Sequence, residues 1–349
     1  MVLKYDQITA EWISEVLQSK GHDGRVKSFE IEKVGTGQLG ETKRFHLQYE
    51  GKVDEEIPNT LIGKFPSDDE TAASTGREMG FYRAEVMFYK ELAHLTQINT
   101  PKAFYAELDC ANNFVLILED LSPAQQGDHM SGCSVEEVQI ALKEAALLHS
   151  TFWNDEVLQK QDWLYVPSGA QGFYTTELVK SSWTHFKSCY SNRLDRQIIK
   201  VCEKFISNHE RWNAPRTKNR CFSHNDFRVD NMLFDNNKIS VVDWQTSNYI
   251  GSGMDAAYFL GSALPREVRK TLEHNLLEEY HKDLMAKGVK NYPLDELLKD
   301  YCHYSFAAAV VAIAATVIVQ QTERGDALFL KMVKDSIYQA IDNDALDLL

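Results

Sequence analysis

The sequence predicts an α+β protein of two lobes, in which an antiparallel-sheet N-terminal lobe precedes a mainly helical C-terminal lobe. Alternating and β-branched runs, which are typical of strands, recur between residues 26 and 118. Helical periodicity dominates from residue 134 onwards. A polar break at residues 119–123 separates these two patterns and is the candidate hinge. We therefore expect the N-lobe at residues 1–120 and the C-lobe at residues 121–349.

The N-lobe opens with an amphipathic helical pattern over residues 9–20, for which Thr9 is a suitable N-cap and Gly21 a suitable end. A second helical pattern covers residues 76–95. A glycine-rich turn follows the first of the predicted strands. These strands lie at Ser28–Val34, Thr42–Tyr49, Thr60–Phe65 and Phe114–Leu118.

The C-lobe is a series of helical patterns that a β-rich island at residues 221–245 interrupts. Its longest apolar run, Phe306–Val319, is too short to cross a bilayer comfortably, so we expect a buried helix there. The helical patterns cover residues 134–153, 174–190, 194–212, 265–287, 294–320 and 326–342.

The composition is that of an ordinary globular protein and disfavours several functional classes. A net charge of −14 argues against non-specific binding to nucleic acid or to an anionic membrane surface. The six cysteines include no C-x-x-C pair, and the N-terminus lacks the pattern of a signal peptide. The 11 histidines include no H-E-x-x-H pair, which disfavours a zinc site. We therefore expect a cytoplasmic protein with reduced thiols and no nucleic-acid or membrane partner.

The β-rich island carries the strongest chemical signal in the chain. It places His224, Asp226 and Asn231 in the spacing H-x-D-x-x-x-x-N, and an apolar run after them ends at Asp243. Phosphoryl transfer from a nucleotide needs one carboxylate at the attacking hydroxyl, and an amide and a second carboxylate on the metal. Asp226 is the candidate base, or the group that orients the acceptor hydroxyl and accepts its proton late. Asn231 and Asp243 are hard oxygen donors suited to Mg²⁺.

Neighbouring polar residues have alternative interpretations. Arg228 either stabilises charge on the transferring group or pairs with Asp230 or a distant acid. Asp230 itself either caps the local backbone or approaches a metal. We expect His224 to bond nearby backbone and His149 to face the protein core from its helix. We expect Asp255 to be a structural N-cap that anchors the metal-binding loop.

A possible phosphate-binding region lies in the N-lobe. The glycines in Gly35-x-Gly37-x-x-Gly40 lie between two predicted strands, where backbone N–H groups can approach phosphates, although glycine-rich turns are common. Lys64 ends the third predicted strand and is either solvated or placed to reach the α- and β-phosphates. The second interpretation needs a carboxylate partner on the following helix. Glu85 is preferred because aromatic residues of the buried face flank it.

Several segments resemble the aminoglycoside phosphotransferase and choline-kinase-like superfamily, and the resemblance extends over essentially the whole chain. Two pieces, Glu85–Tyr89 and Asp255–Leu260, are also similar to the ecdysteroid-kinase-like branch. The segments that carry the superfamily resemblance are Ser223–Phe234, Val241–Gln245, Asp255–Leu260, Leu116–Leu121 and Leu147–Trp153.

This resemblance implies a bilobal protein-kinase-like fold, ATP or GTP with Mg²⁺, and a small hydroxylated acceptor. It also implies that Glu119 and Leu121, in the hinge-like segment, belong to the nucleotide-binding set with Gly35, Gly37 and Gly40. The acceptor stays open among aminoglycosides, choline-like molecules, sugars and steroid-like alcohols. We expect aromatic residues of the C-lobe to form its pocket, with candidates Trp153, Trp163, Tyr165, Tyr174, Trp183 and Tyr190.

The chain departs from the superfamily pattern at three points. Asn225 replaces the glycine of the usual H-G-D, and Trp244 follows the metal-loop Asp243 where Phe is usual in kinases. No activation segment separates Asp243 from Asp255, which disfavours a protein substrate. The alternative to an enzyme is a nucleotide-binding scaffold that kept the fold without catalysis. The filled Lys, Glu, Asp, Asn and Asp positions argue against that alternative.

Overall fold

The structure is a computed structural model that describes residues 2–35, 39–54, 56–164, 172–214, 217–319 and 321–349. The chain divides into two compact units. Unit A comprises Met1–Gln125, Asp162–Tyr165 and Ser240–Ser247. Unit B comprises Gln126–Gln161, Val166–Ile239 and Asn248–Leu349. The antiparallel N-terminal sheet and the mainly helical C-terminal part confirm the predicted α+β class.

Unit A is built on a five-stranded antiparallel sheet. Its strands pair in the order β1–β2–β3–β5–β4, and the innermost apolar residues of β5 are fully buried. The bounds are β1 (Val26–Val34), β2 (Gly40–Tyr49), β3 (Thr60–Pro66), β4 (Ala103–Leu108) and β5 (Phe114–Glu119).

The sequence analysis missed β4 and found the other four strands. Only Phe104 of β4 is buried, and the rest of the strand is half-buried. A strand with so few buried positions lacks the alternation by which a half-buried strand is detected. β5 is the opposite case, since the run Phe114–Leu118 is buried throughout and has the continuous apolar pattern of a central strand.

The helices of unit A follow the predicted periodicity with one correction. Helix α1 (Ala10–Ser19) begins where Thr9 Oγ1 accepts the backbone N–H of Trp12 at 3.1 Å, as predicted. The prediction of a single helix over residues 76–95 was wrong. The structure divides the region at Gly80, whose φ of +74° is in the left-handed region that ends helices. The resulting elements are α2 (Glu70–Glu78), α3 (Phe81–Met87) and a π-helical turn at Phe88–Leu92.

Unit B is mainly helical. Two predicted helices, 194–212 and 294–320, are each divided in the structure. The helices are α4 (Val135–Thr151), α5 (Thr176–Tyr190), α6 (Arg196–Ser207), α7 (His209–Trp212), α8 (Gly253–Ala263), α9 (Arg266–Ala286), α10 (Leu294–Tyr304), α11 (Ala307–Ile318) and α12 (Glu323–Asp342).

Short strands form two further sheets. One is the antiparallel pair of β7 (Arg220–Ser223) and β10 (Asn248–Gly251), which brings together the ends of the β-rich island. The other has the order β6–β8–β9 and consists of β6 (Gln125–Gln126), β8 (Met232–Asp235) and β9 (Lys238–Val241).

The most apolar stretch of the chain lies in the core of unit B. By length and composition Leu294–Ile318 could cross a membrane, yet 67% of its most apolar window is buried inside the protein. Helix α11 packs against α5, α8 and α12, as expected of a buried core helix. All six cysteines are free thiols.

Candidate active site

A charged cluster in unit A joins β3, α3 and the segment after β9. Lys64 Nζ lies 2.5 Å from Glu85 Oε1 and 3.7 Å from Asp243 Oδ1. Glu85 is fully buried, and 14% of the Lys64 side chain is exposed. Burial acts to lower the pKa of Lys64, but the Glu85 and Asp243 carboxylates outweigh it, so that pKa is raised. The ammonium therefore stays charged, and the pairing expected from the sequence is present.

The Asp243 backbone is held in place by its tryptophan neighbour. Trp244 is buried and stacks on Phe88 of the π-helical turn, with ring centroids 3.6 Å apart. The indole Nε1 donates to Thr100 Oγ1 at 3.2 Å, and that hydroxyl donates to the carbonyl of Val241 at 2.8 Å. The tryptophan that departs from the usual pattern thus fixes the loop against the helix that carries Glu85.

Asp243 has an unusual backbone conformation and a carboxylate oxygen without a hydrogen bond in the described chain. Its φ of +69° is in the left-handed region, a sparsely populated conformation for a residue other than glycine. Oδ1 is buried and makes no hydrogen bond within the described part of the chain, although the Lys64 ammonium lies nearby. An acceptor oxygen of this kind suits a cation.

The loop of unit B that carries Asp226 follows β7 and is held by Asp255. The Asp255 carboxylate accepts the backbone N–H groups of His224 and Asn225, each at 2.8 Å. Our assignment of Asp255 as an N-cap was wrong, because Ser252 takes that position in α8 and Asp255 lies within the first turn. In the first turn, the positive end of the helix dipole stabilises the Asp255 carboxylate. The carboxylate accepts hydrogen bonds from the loop and does not cap its own helix.

Asp255 is itself held by a buried histidine. His149 Nε2 lies 2.9 Å from Asp255 Oδ2, and His149 Nδ1 lies 2.6 Å from the hydroxyl oxygen of Tyr280. Burial acts to raise the pKa of Asp255, but the His149 contact, His224 and the loop amide of Asn225 outweigh it, so that pKa is lowered. His149 is therefore a core-facing residue, as expected, with a defined role in anchoring the loop.

Hydrogen bonds from two residues of the same loop orient the Asp226 carboxylate. Asn231 Nδ2 donates to the Asp226 carbonyl at 2.9 Å and to its Oδ2 at 2.8 Å. Arg228 Nε donates to Asp226 Oδ2 at 3.2 Å. His224 Nδ1 accepts the Asp226 backbone N–H at 3.3 Å, which is the local role expected for it. A quarter of the Asp226 side chain, 25%, is exposed.

Arg228 joins two carboxylates. Besides Asp226 it pairs through Nη1 with Asp230 Oδ2, and Asp230 Oδ1 accepts the backbone N–H of His129 at 2.7 Å. The pairing alternative weighed for Arg228 is thus observed, and Asp230 bonds the distant backbone of His129 and does not cap its own segment. Tyr258 is buried nearby, and burial together with the Asp226 carboxylate raises its pKa well above the ordinary value. It is therefore a neutral hydroxyl.

Three of the remaining predicted nucleotide-binding residues, Gly35, Gly40 and Glu119, lie at or next to the ends of strands of the N-terminal sheet. Gly35 follows β1 with a φ of +74°, and Gly40 begins β2 so close to β3 that a Cβ would lie 3.1 Å from the Phe65 carbonyl. Gly37 lies outside the described residues. Glu119 ends β5, and its carboxylate accepts the backbone N–H of Lys102 at 3.2 Å. The carbonyl of Leu121, two residues on, accepts the Ala124 N–H at 2.9 Å.

A pocket lies wholly within unit B, and Asn225 forms part of its wall. Among the described residues no acidic side chain lines it. Apolar and aromatic side chains form most of the wall, among them Tyr174, Trp212, Met254, His303, Tyr304 and Val310.

Of the aromatic residues proposed for this pocket, only Tyr174 lines it in the described part of the chain. Trp163, Trp183 and Tyr190 are buried elsewhere, and Tyr165 lies outside the described residues. Trp153 packs on Tyr292 with ring centroids 4.8 Å apart. The sequence analysis missed Trp212, His303 and Tyr304, because α7 and α10 meet only in the folded chain.

Solved structures of small-molecule kinases have this fold. Choline kinase from Cryptosporidium parvum Iowa II has a TM-score of 0.55 and 13% identity, with 97% of this chain and 98% of that chain covered. Wild-type aminoglycoside 2'-phosphotransferase-IIIa in its GDP complex has a TM-score of 0.54 and 12% identity, with 95% and 99% covered. Amicoumacin kinase in complex with AMP-PNP and Ca²⁺ has a TM-score of 0.53 and 12% identity, with 96% of each chain covered. The protein therefore has the protein-kinase-like fold expected from the resemblance.

Sequence comparison identifies the branch. Residues 38–290, more than half of the chain, match the model of the ecdysteroid kinase-like family. The chain belongs to this family, which confirms the resemblance drawn from the motifs. None of the curated protein sequences matches it significantly.

Proposed function

We propose that the protein is a small-molecule kinase that transfers the γ-phosphoryl group of ATP or GTP to a hydroxyl group. One observation carries the proposal: the Asp226 carboxylate is oriented by Asn231 and Arg228 on a loop that Asp255 anchors. A carboxylate held in this way can orient an attacking hydroxyl. The family and the fold support the same class of activity.

Unit A carries the groups that we assign to the nucleotide. The charged Lys64 would bind the α- and β-phosphates, and Glu85 would hold its ammonium in place. We assign the phosphate loop to Gly35, Gly37 and Gly40, and the base to the segment that contains Glu119 and Leu121. The GDP and AMP-PNP bound in two proteins of the same fold support a nucleotide ligand.

The residues present also fit Mg²⁺. In unit A, Asp243 offers a buried carboxylate oxygen without a hydrogen bond in the described chain. In unit B, Asn231 donates to Asp226 through its amide nitrogen, which leaves its amide oxygen as a candidate ligand. Within the described residues no group of three His, Cys, Asp or Glu side chains could hold a metal, so phosphate oxygens and water would complete the ligand set. When bound, the ion would neutralise charge on the phosphates.

In the proposed reaction the acceptor hydroxyl donates a hydrogen bond to Asp226. Its oxygen forms a bond to the γ-phosphorus while the bond from that phosphorus to the β,γ-bridging oxygen breaks, which leaves the electron pair on the nucleoside diphosphate. The hydroxyl proton passes late to Asp226 and then to water. Asn231 and Arg228 keep the carboxylate in line, and positioning supplies much of the rate.

The pocket in unit B favours an uncharged acceptor with an apolar body. Its wall is mostly aromatic and aliphatic, and no acidic side chain of the described chain lines it. A polycationic aminoglycoside would lose its hydration there without gaining a counter-charge. Steroid-like or other apolar alcohols fit the wall better. Six free thiols support a reducing, cytoplasmic setting for the enzyme.

The test compares wild-type protein with Asp226→Asn, which keeps the shape of the side chain and removes its charge. Release of ADP is measured with Mg-ATP and a panel of apolar alcohols, sugars and amino alcohols. We expect wild-type turnover with at least one apolar alcohol and a loss of about 100-fold or more in the variant.

Asp235→Asn is the matched control, because Asp235 is an exposed carboxylate at the end of β8 on the same segment. Equal rates of phosphoryl transfer in wild type and Asp226→Asn would contradict the proposal. ATP binding with no transfer to any member of the panel would favour the nucleotide-binding scaffold instead.

A further inference from the structure

Asn225 combines a constrained backbone with a buried side chain in the pocket wall. Its φ is +64°, and its backbone N–H is taken by Asp255. The residue is only 5% exposed and lines the pocket of unit B. It also directly precedes Asp226 in the chain.

The side-chain oxygen of Asn225 is an unpaired acceptor. Oδ1 is buried and has no hydrogen-bond partner among the residues that the structure describes. A buried amide oxygen left unpaired is costly, so such an atom points to a missing donor. The hydrogen bond from the Asn225 backbone N–H to Asp255 holds the loop in place. A movement of the loop that would bring Oδ1 to another donor would break this bond.

Two other polar groups of the same wall are already paired within the protein. Asn213 Nδ2 donates to the Tyr174 carbonyl at 3.0 Å, and Trp212 Nε1 donates to the His303 carbonyl at 2.7 Å. Neither of these groups donates to Asn225 Oδ1, which has no hydrogen-bond partner among the described residues. The described chain provides no donor for Asn225 Oδ1, and the pocket that Asn225 lines is the place where a ligand would supply one.

We propose, on the basis of the proposed function, that Asn225 determines the specificity for the acceptor molecule. It would do so by accepting a hydrogen bond from a second hydroxyl of that molecule. The preferred acceptor is then an apolar molecule with two neighbouring hydroxyl groups, one directed to Asp226 and the other to Asn225. A site built to bond a hydroxyl discriminates strongly against the analogue that lacks it, because the protein group is then left unpaired.

The experiment uses alcohols that differ by one neighbouring hydroxyl: estriol with estradiol, and trans-cyclohexanediol with cyclohexanol. The ratio of kcat/KM for diol and mono-alcohol is measured by phosphate transfer from radiolabelled ATP. We expect wild-type protein to prefer the diol about 10-fold. In Asn225→Gly, which tolerates the left-handed backbone, we expect the ratio to fall to about one through loss of activity on the diol.

Asn225→Asp is the matched variant, since it keeps an acceptor oxygen at the same atom position. It retains the preference for the diol whatever it does to kcat. A thermal melt of each variant confirms that the fold is intact. An unchanged ratio in Asn225→Gly, or equal use of both alcohols by wild type, overturns the proposal and indicates a buried water as the partner of Oδ1.

Calorimetric binding of the same four alcohols separates this proposal from the proposed function. Diol-selective binding that Asn225→Gly abolishes, without phosphate transfer, contradicts the kinase activity and supports the role of Asn225. Equal binding of diol and mono-alcohol, with transfer to both, supports the kinase activity and overturns the role of Asn225.

Discussion

At the scale of single residues, the ion pair between Lys64 and Glu85 is the feature most exposed to a direct test. Lys64 reaches two carboxylates, and Glu85 is its fully buried partner. The two carboxylates raise the pKa of Lys64, whereas burial raises the pKa of Glu85; the close contact of the ammonium with the Glu85 carboxylate favours the charged pair. A charged ammonium with a defined position is what binding of phosphate oxygens requires.

Glu85→Gln should weaken the use of ATP. The amide removes the charge that positions Lys64, and hydrogen bonds to charged groups contribute about 1.5–3 kcal/mol, so kcat/KM for ATP should fall roughly 10- to 100-fold. Initial rates at varied ATP provide the measurement. Glu78→Gln is the control, because Glu78 is an exposed acid at the end of α2. Wild-type kcat/KM in Glu85→Gln would show that Lys64 needs no partner.

Sequence patterns found this pair for a local reason. Glu85 lies among aromatic residues on a helix with clear periodicity, so its closeness to a buried face could be deduced. The sequence could not show that Asp255 accepts the hydrogen bonds of the loop N–H groups, because Asp255 contacts His224 and Asn225 only after α8 has packed against the loop. Long-range contacts of this kind leave no periodic trace in the sequence.

At the scale of elements, α4 and α8 support the loop that carries Asp226. Helix α8 brings Asp255 to the loop, and α4 brings His149 to Asp255. Both side chains are fully buried, so solvent does not weaken their contacts. The position of Asp226 therefore depends on helices that do not themselves carry it.

Asp255→Asn tests this support. The amide presents an N–H₂ group toward one of the two loop N–H groups, so we expect destabilisation of about 1.5–3 kcal/mol at neutral pH and a lower kcat. Because the pKa of Asp255 is lowered on folding, the stabilising contribution is present above the ordinary carboxyl pKa of about 3.9 and is lost as pH falls through the lowered value.

Denaturant unfolding at several pH values measures this effect. The difference between wild type and Asp255→Asn should be largest near pH 7 and should shrink as the pH falls below about 4. Asp295→Asn is the control, since Asp295 also lies in the first turn of its helix but is exposed. A difference that grows on acidification would show that Asp255 is not the stabilising charge.

At the scale of the whole molecule, the class of fold could be predicted from the sequence, and the residues that line the pocket of unit B could not. Four of five strands in the N-terminal sheet and most helices had clear patterns, while half-buried β4 did not. The pocket draws Trp212 from α7 and Tyr304 from α10, which are far apart in sequence. A pocket assembled from separate helices depends on their packing, which local periodicity does not specify.

The same packing contains a buried charge network that stabilises unit B. Arg269, only 1% exposed, donates to Glu273 at 2.6 Å and to Asp342 at 2.5 Å, and so joins α9 to α12. Tyr301 of α10 donates to the same Glu273 carboxylate at 2.8 Å. Arg266 of α9 also pairs with Asp342, so two guanidinium groups join α9 to α12, and Glu273 connects the network to α10.

Arg269→Met should strongly destabilise unit B, because the apolar side chain leaves the buried Glu273 carboxylate without its counter-charge, while Asp342 keeps only its second partner, Arg266. Breaking a buried pair in this way costs about 3–5 kcal/mol. Denaturant unfolding followed by circular dichroism measures the change, since unit B holds most of the helices. Arg196→Met, at an exposed arginine of α6, should change the free energy of unfolding by less than about 0.5 kcal/mol. If both variants unfold alike, the network is not what holds these helices together, and apolar packing around α11 would have to carry the stability of unit B.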